Sequence, residues 1–237
     1  GEVFEAALKG AKIQSIDRRA KLLIWNLDKG RKLFAHLKMT GRFLVLPNTY
    51  ERTKHDRVKF TYRSTQGEEH DLIWSDMRQF GYLKLVSDQE AEEVLDAYGP
   101  EPLMSSQEIL VERLARPTNR AIKTVLLDQS VIAGIGNIYA DEACFRAGIR
   151  PTRLAKKLTN SERQVLAREI QAVLSESLAQ KGTSAHHYVD TAGSKGGFLT
   201  LLQVYGRGKD ACLRCRTPIT RIAFRGRGTH FCPSCQR

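Results

Sequence analysis

The chain has 237 residues, and 38 Lys+Arg against 26 Asp+Glu give it a formal net charge of +12 at pH 7. With 41% hydrophobic and 27% charged residues it can bury a core, which excludes intrinsic disorder, while 18 Gly and 7 Pro scattered without period exclude collagen-like and low-complexity classes. No run approaches the ~18 apolar residues of a membrane span, Gly1-Glu2-Val3-Phe4-Glu5 lacks the basic start and apolar core of a signal peptide, and so positive a charge points to a polyanionic partner.

From Lys12 to about Asp88 short apolar or alternating runs follow one another: Leu22–Leu27, Leu33–Leu37, Phe43–Leu46, Val58–Tyr62, Asp71–Trp74 and Tyr82–Val86. Turn residues separate them at Asp28-Lys-Gly30, Thr40-Gly41 and Ser64-Thr-Gln-Gly67. The pattern predicts antiparallel β structure, a sandwich or small barrel. A short helix over Gln89–Ala97 then runs into Tyr98-Gly-Pro-Glu-Pro102, whose prolines and glycine mark a domain junction. Beyond it the apolar period changes to about 3.6. Ser105 with Glu108 reads as a capping box before Ile109–Ala115, and Thr159 with Glu162 as another before Val165, Leu166, Ile170, Val173, Leu174 and Leu178. Between them helices are expected over Arg120–Gln129 and Asn137–Ala147, joined by Ser130-Val-Ile-Ala-Gly-Ile-Gly136. Residues 182–197 form a polar, glycine-bearing loop too long for a mere connector. The expected organisation is α+β and multidomain: an antiparallel β-sandwich over 1–98, a helical domain over 99–200 and a cysteine-bearing β-hairpin over 203–237.

Cys212, Cys215, Cys232 and Cys235 read C-x2-C-x16-C-x2-C, the spacing that places four thiolates tetrahedrally around one structural Zn2+. The alternative, disulfides, requires an oxidising compartment. A thioredoxin-like redox pair would need a βαβ unit that the pattern lacks. Cys144, alone in the helical pattern of Asn137–Ala147, reads as a small buried residue. A segment of this size buries too little apolar surface to fold alone, so the metal would supply its stability. It carries eight Lys/Arg and one Asp, over half of the net charge. In Arg225-Gly-Arg-Gly228 small neighbours leave the Arg227 guanidinium free to fork onto a phosphate, although a merely solvated turn arginine fits too. In Ala133-Gly-Ile-Gly-Asn-Ile-Tyr-Ala140 a glycine turn opens into a helix, whose first N–H groups and the Asn137 amide form a candidate anion site, with Lys123 adding a positive charge; glycines that only permit tight packing are the alternative.

Several motifs occur together: Arg19-Ala-Lys21, His36-Leu-Lys-Met-Thr-Gly41, Asp76-Met-Arg-Gln-Phe-Gly81, Leu127-Asp-Gln-Ser-Val-Ile-Ala-Gly-Ile-Gly-Asn-Ile-Tyr-Ala-Asp-Glu142, Val204-Tyr-Gly-Arg207 and Gly226-Arg-Gly-Thr-His-Phe-Cys-Pro-Ser-Cys-Gln236. In order and spacing, along essentially the whole chain, the sequence resembles the bacterial formamidopyrimidine-DNA glycosylase family. The resemblance implies a helix-two-turn-helix domain, a zinc finger, and base-excision repair of duplex DNA: removal of oxidised purines such as 8-oxoguanine and formamidopyrimidines, with cleavage at the abasic site. It places the wedge that fills the hole left by the everted nucleotide on Met39, Arg78 and Phe80, a thioether, a flat cation and a ring that can replace base stacking. By residue type alone, Met39 and Phe80 read equally as core residues. It puts the phosphate clamps on Lys21, Asn137 and Arg227. The lesion lid, in loop 183–198, falls on Gly193, Ser194, Lys195, Gly196, Gly197 and Phe198. The implied partner is double-stranded DNA bearing oxidised bases or abasic sites, bound by a monomer in the bacterial cytoplasm, at the nucleoid and not at a membrane. Gln79 replaces a more usual basic residue and Lys38 a frequent glycine.

The family opens on Pro-Glu, whose prolyl amine attacks the sugar C1′ while the glutamate handles protons. Nothing in Gly1-Glu2-Val-Phe-Glu-Ala-Ala-Leu8 matches; it aligns about 40 residues into the family pattern, so no catalytic residue is identifiable. The expectation for the chain as written is no useful excision of 8-oxoguanine, no borohydride-trappable imine, and a sandwich with exposed edges. Two other readings follow: a non-catalytic DNA-binding relative or fragment, and an endonuclease VIII-like glycosylase for oxidised pyrimidines. The lid-like loop and the Met39, Arg78 and Phe80 set argue for the purine branch.

Overall fold

The computed structural model describes residues 2–46, 50–183 and 196–237. Contacts divide the described residues into two compact units, residues 2–46, 50–95, 183 and 196, and residues 96–182 with 197–237.

The first unit is a two-sheet sandwich. Strands β1 (Ile13–Arg19), β2 (Leu22–Leu27), β3 (Arg31–His36) and β7 (Tyr82–Ser87) form one sheet in the order β1-β2-β3-β7; β4 (Gly41–Leu46), β6 (Glu69–Asp76) and β5 (Asp56–Arg63) form the other, in the order β4-β6-β5. Every pairing is antiparallel, and the six apolar runs in the sequence fall on these strands, only Leu37 lying past the end of β3. β2 is apolar at every position but Asn26 because both of its faces are largely covered. Trp25 and Leu27 point between the sheets, where Trp25 packs on Phe43 and Phe60 with ring centroids 5.5 and 5.3 Å away. Leu22 and Ile24 pack with Phe34, Val86 and Ala91 of helix α2 (Asp88–Asp96) on the other face.

Two elements of this unit give no apolar periodicity to read. β1 is exposed along nearly its whole length and is held by its backbone ladder to β2. Helix α1 (Glu2–Leu8) packs Phe4 and Leu8 against the inter-sheet core and is tied down by Arg31, whose Nη1 donates to the Ala7 carbonyl at 2.6 Å. Beside them a cleft of about 400 Å³, lined by Ile13, Ile16, Trp25, Val45, Phe60 and Leu72 among others, stays open.

The second unit contains α3 (Gln107–Ala115), α4 (Ile122–Leu126), α5 (Asn137–Arg146), α6 (Asn160–Ala179) and the hairpin β8 (Thr220–Phe224) to β9 (Arg227–Phe231). Its core joins Leu110 and Leu114 of α3, Ile122 and Leu126 of α4, and Leu166 and Ile170 of α6, among others. The capping box at Thr159 and Glu162 forms. The one expected at Ser105 and Glu108 does not: the tight turn Pro102–Met104 takes up one more residue, and Ser106 becomes the N-cap of α3. α4 is shorter than the expected Arg120–Gln129. Its start pairs with the segment after α5 (Ile122 N to Arg153 O, 2.8 Å), and Asp128 closes its end by accepting from the Ser130 N–H at 3.0 Å.

Val204, Cys212, Ile219 and Cys232 pack on Phe145 of α5, so the hairpin lies in the same compact unit as the helices. Among the described residues no helix is long and apolar enough to cross a membrane.

Candidate nucleic-acid interface

In the sandwich unit, two tight loops carry the expected wedge residues. In the first, Lys38 takes a left-handed φ of 50°, and Gly41 closes the turn by donating to the Leu37 carbonyl at 2.9 Å, where a Cβ would sit 2.5 Å from that oxygen. In the second, Gln79 takes a φ of 58° and Gly81 fits between Trp74, His36 and Asp76.

Asp76, buried at the end of β6, pins both loops. Its Oδ1 accepts from the Thr40 hydroxyl and, at 3.2 Å, from the Arg78 N–H; its Oδ2 accepts from the Gly81 N–H at 2.8 Å. Burial works against its charge, yet the Thr40 hydroxyl and the N–H groups of Gly81, Arg78 and Gln79 outweigh it and hold its pKa below the usual carboxylate value. Above this support Met39 is 61% and Phe80 54% exposed, which removes the core reading for both. Arg78 bridges them, its Nη1 3.1 Å from the Met39 sulfur and its Cζ 4.6 Å from the Phe80 ring centroid.

Lys21 is exposed in the β1–β2 turn, next to Ala20 at φ 53°. Burial and the charges of Lys38 and Lys21 lower the pKa of His36 to about 4. Its Nδ1 accepts the Lys38 N–H at 3.0 Å, so the neutral ring carries its proton on Nε2 and is a donor.

In the helical unit, Gly136 starts α5 without a side-chain cap, which leaves the first N–H groups of the helix available to an anion. The hairpin reverses at Arg225 and Gly226, φ 50° and 72°, the left-handed pair of a type I′ turn. Arg227 follows, exposed, and its guanidinium makes no hydrogen bond or ion pair among the described residues. Asn137 donates its Nδ2 to the Gly228 carbonyl at 3.0 Å, bringing the start of α5 and the hairpin tip together.

Lys123 does not project toward a phosphate as expected. It is 1% exposed, its Nζ lies 2.6 Å from Asp141 Oδ1, and it donates to Thr229 Oγ1 and the Gly228 carbonyl. Burial lowers its pKa against the raising effect of Asp141. The helical period of the sequence put Lys123 on α4, but it could not show that a carboxylate one helix later would enclose it.

Of the lid residues, Gly193, Ser194 and Lys195 lie outside the described residues. Gly197 donates to the Gln180 carbonyl at 2.8 Å, and Phe198 is fully buried beside Tyr139. Phe198 is thus an anchor in the helical core and not part of a lid, because an aromatic side chain with no exposed surface cannot also cover a ligand. The four cysteine sulfurs lie within 4.8 Å of one another, with Cys215 to Cys232 at 3.4 Å and Cys212 to Cys235 at 3.9 Å. Four thiolates at ~2.3 Å from a tetrahedral ion stand ~3.8 Å apart, so the set fits one metal ion, and no disulfide joins them.

Functional residues that the sequence reading passed over are Asp76, Thr40, His36 and the pair Asp141 and Glu142. The last two carried a signal: adjacent acids between Ala140 and Ala143 on a buried helix must find donors. Glu142 accepts the N–H groups of Gln203, Val204 and Tyr205 at 2.8–2.9 Å, and Asp141 that of His230 at 2.9 Å.

Comparisons with known proteins agree along the chain. Residues 1–83 match a model of the formamidopyrimidine-DNA glycosylase N-terminal domain, residues 98–188 that of its H2TH domain, and residues 209–237 a zinc finger found in FPG and IleRS. A formamidopyrimidine-DNA glycosylase of Desulfitobacterium hafniense is 45% identical over 239 residues, covering 99% of this chain and 85% of the relative. One of Geobacillus kaustophilus is 41% identical over 240 residues, covering 100% and 85%. Among solved structures, a complex of a Lactococcus lactis FPG mutant with Fapy-dG containing DNA superposes with a TM-score of 0.90 at 34% identity, and one of Lactococcus lactis Fpg with abasic-site DNA at 0.89 and 35%. Each covers 100% of this chain and 86% of that chain.

Proposed function

The chain belongs to the formamidopyrimidine-DNA glycosylase family, and from that premise we propose that it serves base-excision repair as a DNA glycosylase and AP lyase acting on oxidised purines in duplex DNA. The observation that carries the reading is the exposed Met39, Arg78 and Phe80 set on loops pinned by buried Asp76. A water-facing thioether and ring forgo the burial that would stabilise the fold; beside an everted nucleotide they and the Arg78 guanidinium stack in its place and meet the orphaned partner base. Lys21 and the Nε2–H of neutral His36 supply donors to a phosphate in the sandwich unit. Arg227, Asn137 and the uncapped start of α5 do so in the helical unit. Cys212, Cys215, Cys232 and Cys235 would hold one Zn2+ through four thiolates, and the ion would serve to stabilise the hairpin. The family's prolyl nucleophile is assigned to no residue described here.

The test is competition binding of the protein with duplexes that carry 8-oxoguanine, an abasic site, an oxidised pyrimidine or no lesion. The purine-lesion and abasic duplexes are expected to win, and Met39→Ala to reduce that preference while leaving affinity for undamaged duplex within about twofold, because it removes stacking and not charge. Equal losses on damaged and undamaged duplex contradict the wedge; a preference for the oxidised pyrimidine favours the endonuclease VIII-like reading.

A further inference from the structure

The network around Lys123 has more parts than docking a hairpin requires. Apolar burial of Phe145, Val204 and Ile219 already holds the hairpin on α5, but apolar contact is non-directional and does not set where the tip points. A buried ion pair adds little stability over an apolar pair of the same volume, so its value lies in direction.

The directions here converge on one carbonyl. Lys123 Nζ is ion-paired with Asp141 Oδ1 (2.6 Å) and donates to Thr229 Oγ1 (2.8 Å) and the Gly228 carbonyl (3.1 Å). Asp141 accepts the His230 N–H with its other oxygen at 2.9 Å, and Asn137 Nδ2 takes the second lone pair of the Gly228 oxygen at 3.0 Å. Three successive residues of β9, Gly228, Thr229 and His230, are therefore gripped by α4 and α5 through one carboxylate and its lysine. Arg227 is the next residue toward the tip, exposed, and its side chain makes no hydrogen bond or ion pair among the described residues. The fully buried Asp141 cannot itself reach solvent.

We propose that Asp141 is a positioning residue for DNA binding: through Lys123 it fixes the Gly228 carbonyl against Asn137, and so presents Arg227 and the start of α5 to DNA phosphate as one preformed grip. The proposal rests on the phosphate-binding role given above to Arg227 and Asn137.

The experiment is a double-mutant cycle of Asp141→Asn and Arg227→Ala, with zinc content measured on each protein and affinity for an abasic-site duplex measured across a salt series. Asp141→Asn is expected to weaken binding about tenfold with the slope of log K against log salt unchanged, since neither Asp141 nor Lys123 touches phosphate. Arg227→Ala lowers the slope by about one, and in its background Asp141→Asn costs less than twofold. A full tenfold loss in both backgrounds, or no loss in either, overturns the proposal. If Asp141→Asn loses zinc, the apolar pair Lys123→Met with Asp141→Leu replaces it: it removes both charges at similar volume, and retained zinc with wild-type affinity overturns the proposal equally. A wild-type protein that shows no preference for the abasic duplex refutes the repair reading alone, because the cycle can then be run on undamaged duplex, where an arginine–phosphate contact is still counted.

Discussion

Asp76 accepts hydrogen bonds from both loops that carry Met39, Arg78 and Phe80, so its removal unpins two segments at once. Asp76→Ala leaves the Thr40 hydroxyl and the N–H groups of Arg78 and Gly81 without their acceptor, a loss on the order of 2–4 kcal/mol in the sandwich unit. A lowered melting temperature together with a lost preference for abasic DNA is the expected result; loss of preference without destabilisation, or the reverse, separates the two roles of the residue. His36 makes a pH prediction of definite sign. Its folded pKa of about 4 lies below the ordinary histidine value of 6.5, so between those values the unfolded chain binds more protons than the folded one. Its contribution to stability is complete above pH 6.5 and is lost as the pH falls toward 4. An NMR titration of the free protein should place the His36 midpoint well below 6.5, and a midpoint at or above 6.5 contradicts the neutral-donor assignment.

At the scale of elements, legibility followed burial. Strands covered on one or both faces announced themselves, as β2 and β6 did, and so did α6 through its capping box and apolar period. β1 did not, because its exposed residues are held by backbone pairing and by hydrogen bonds from Asn26 to Ser15 and Asp17, and α1 did not, because a seven-residue helix is too short to show a measurable period. The wedge was legible only through resemblance: its residues look like core until their exposure is seen, and the aspartate beneath them is an ordinary strand-end acid in the sequence. Two predictions belong here. Thr159→Ala should destabilise the helical unit by about 1 kcal/mol in thermal or chemical unfolding, the usual worth of such a cap. Chelation or Cys232→Ala should release one Zn2+ per chain and unfold β8 and β9 while circular dichroism retains the signal of α3–α6, whose core lies apart from the cysteines; freshly purified protein without zinc contradicts the assignment of the site.

For the molecule as a whole, the charge of +12 says that DNA binding must be strongly salt dependent, but not which DNA is bound. Charge alone attracts any duplex, and the lesion preference has to come from the uncharged and stacking groups, Met39 and Phe80, with Arg78 serving both. Charge is not what holds the cysteine-bearing segment in place: Asp141, Glu142 and Phe145 of α5 supply its backbone partners and its apolar floor. Whether this chain recognises lesions is decided by the ratio of dissociation constants for one duplex with and without a single abasic site, taken with the 237-residue protein at about 0.15 M salt. Lesion recognition by this chain predicts at least tenfold tighter binding to the abasic duplex. Equal binding of the two would mean that these residues grip DNA by charge alone and would contradict it.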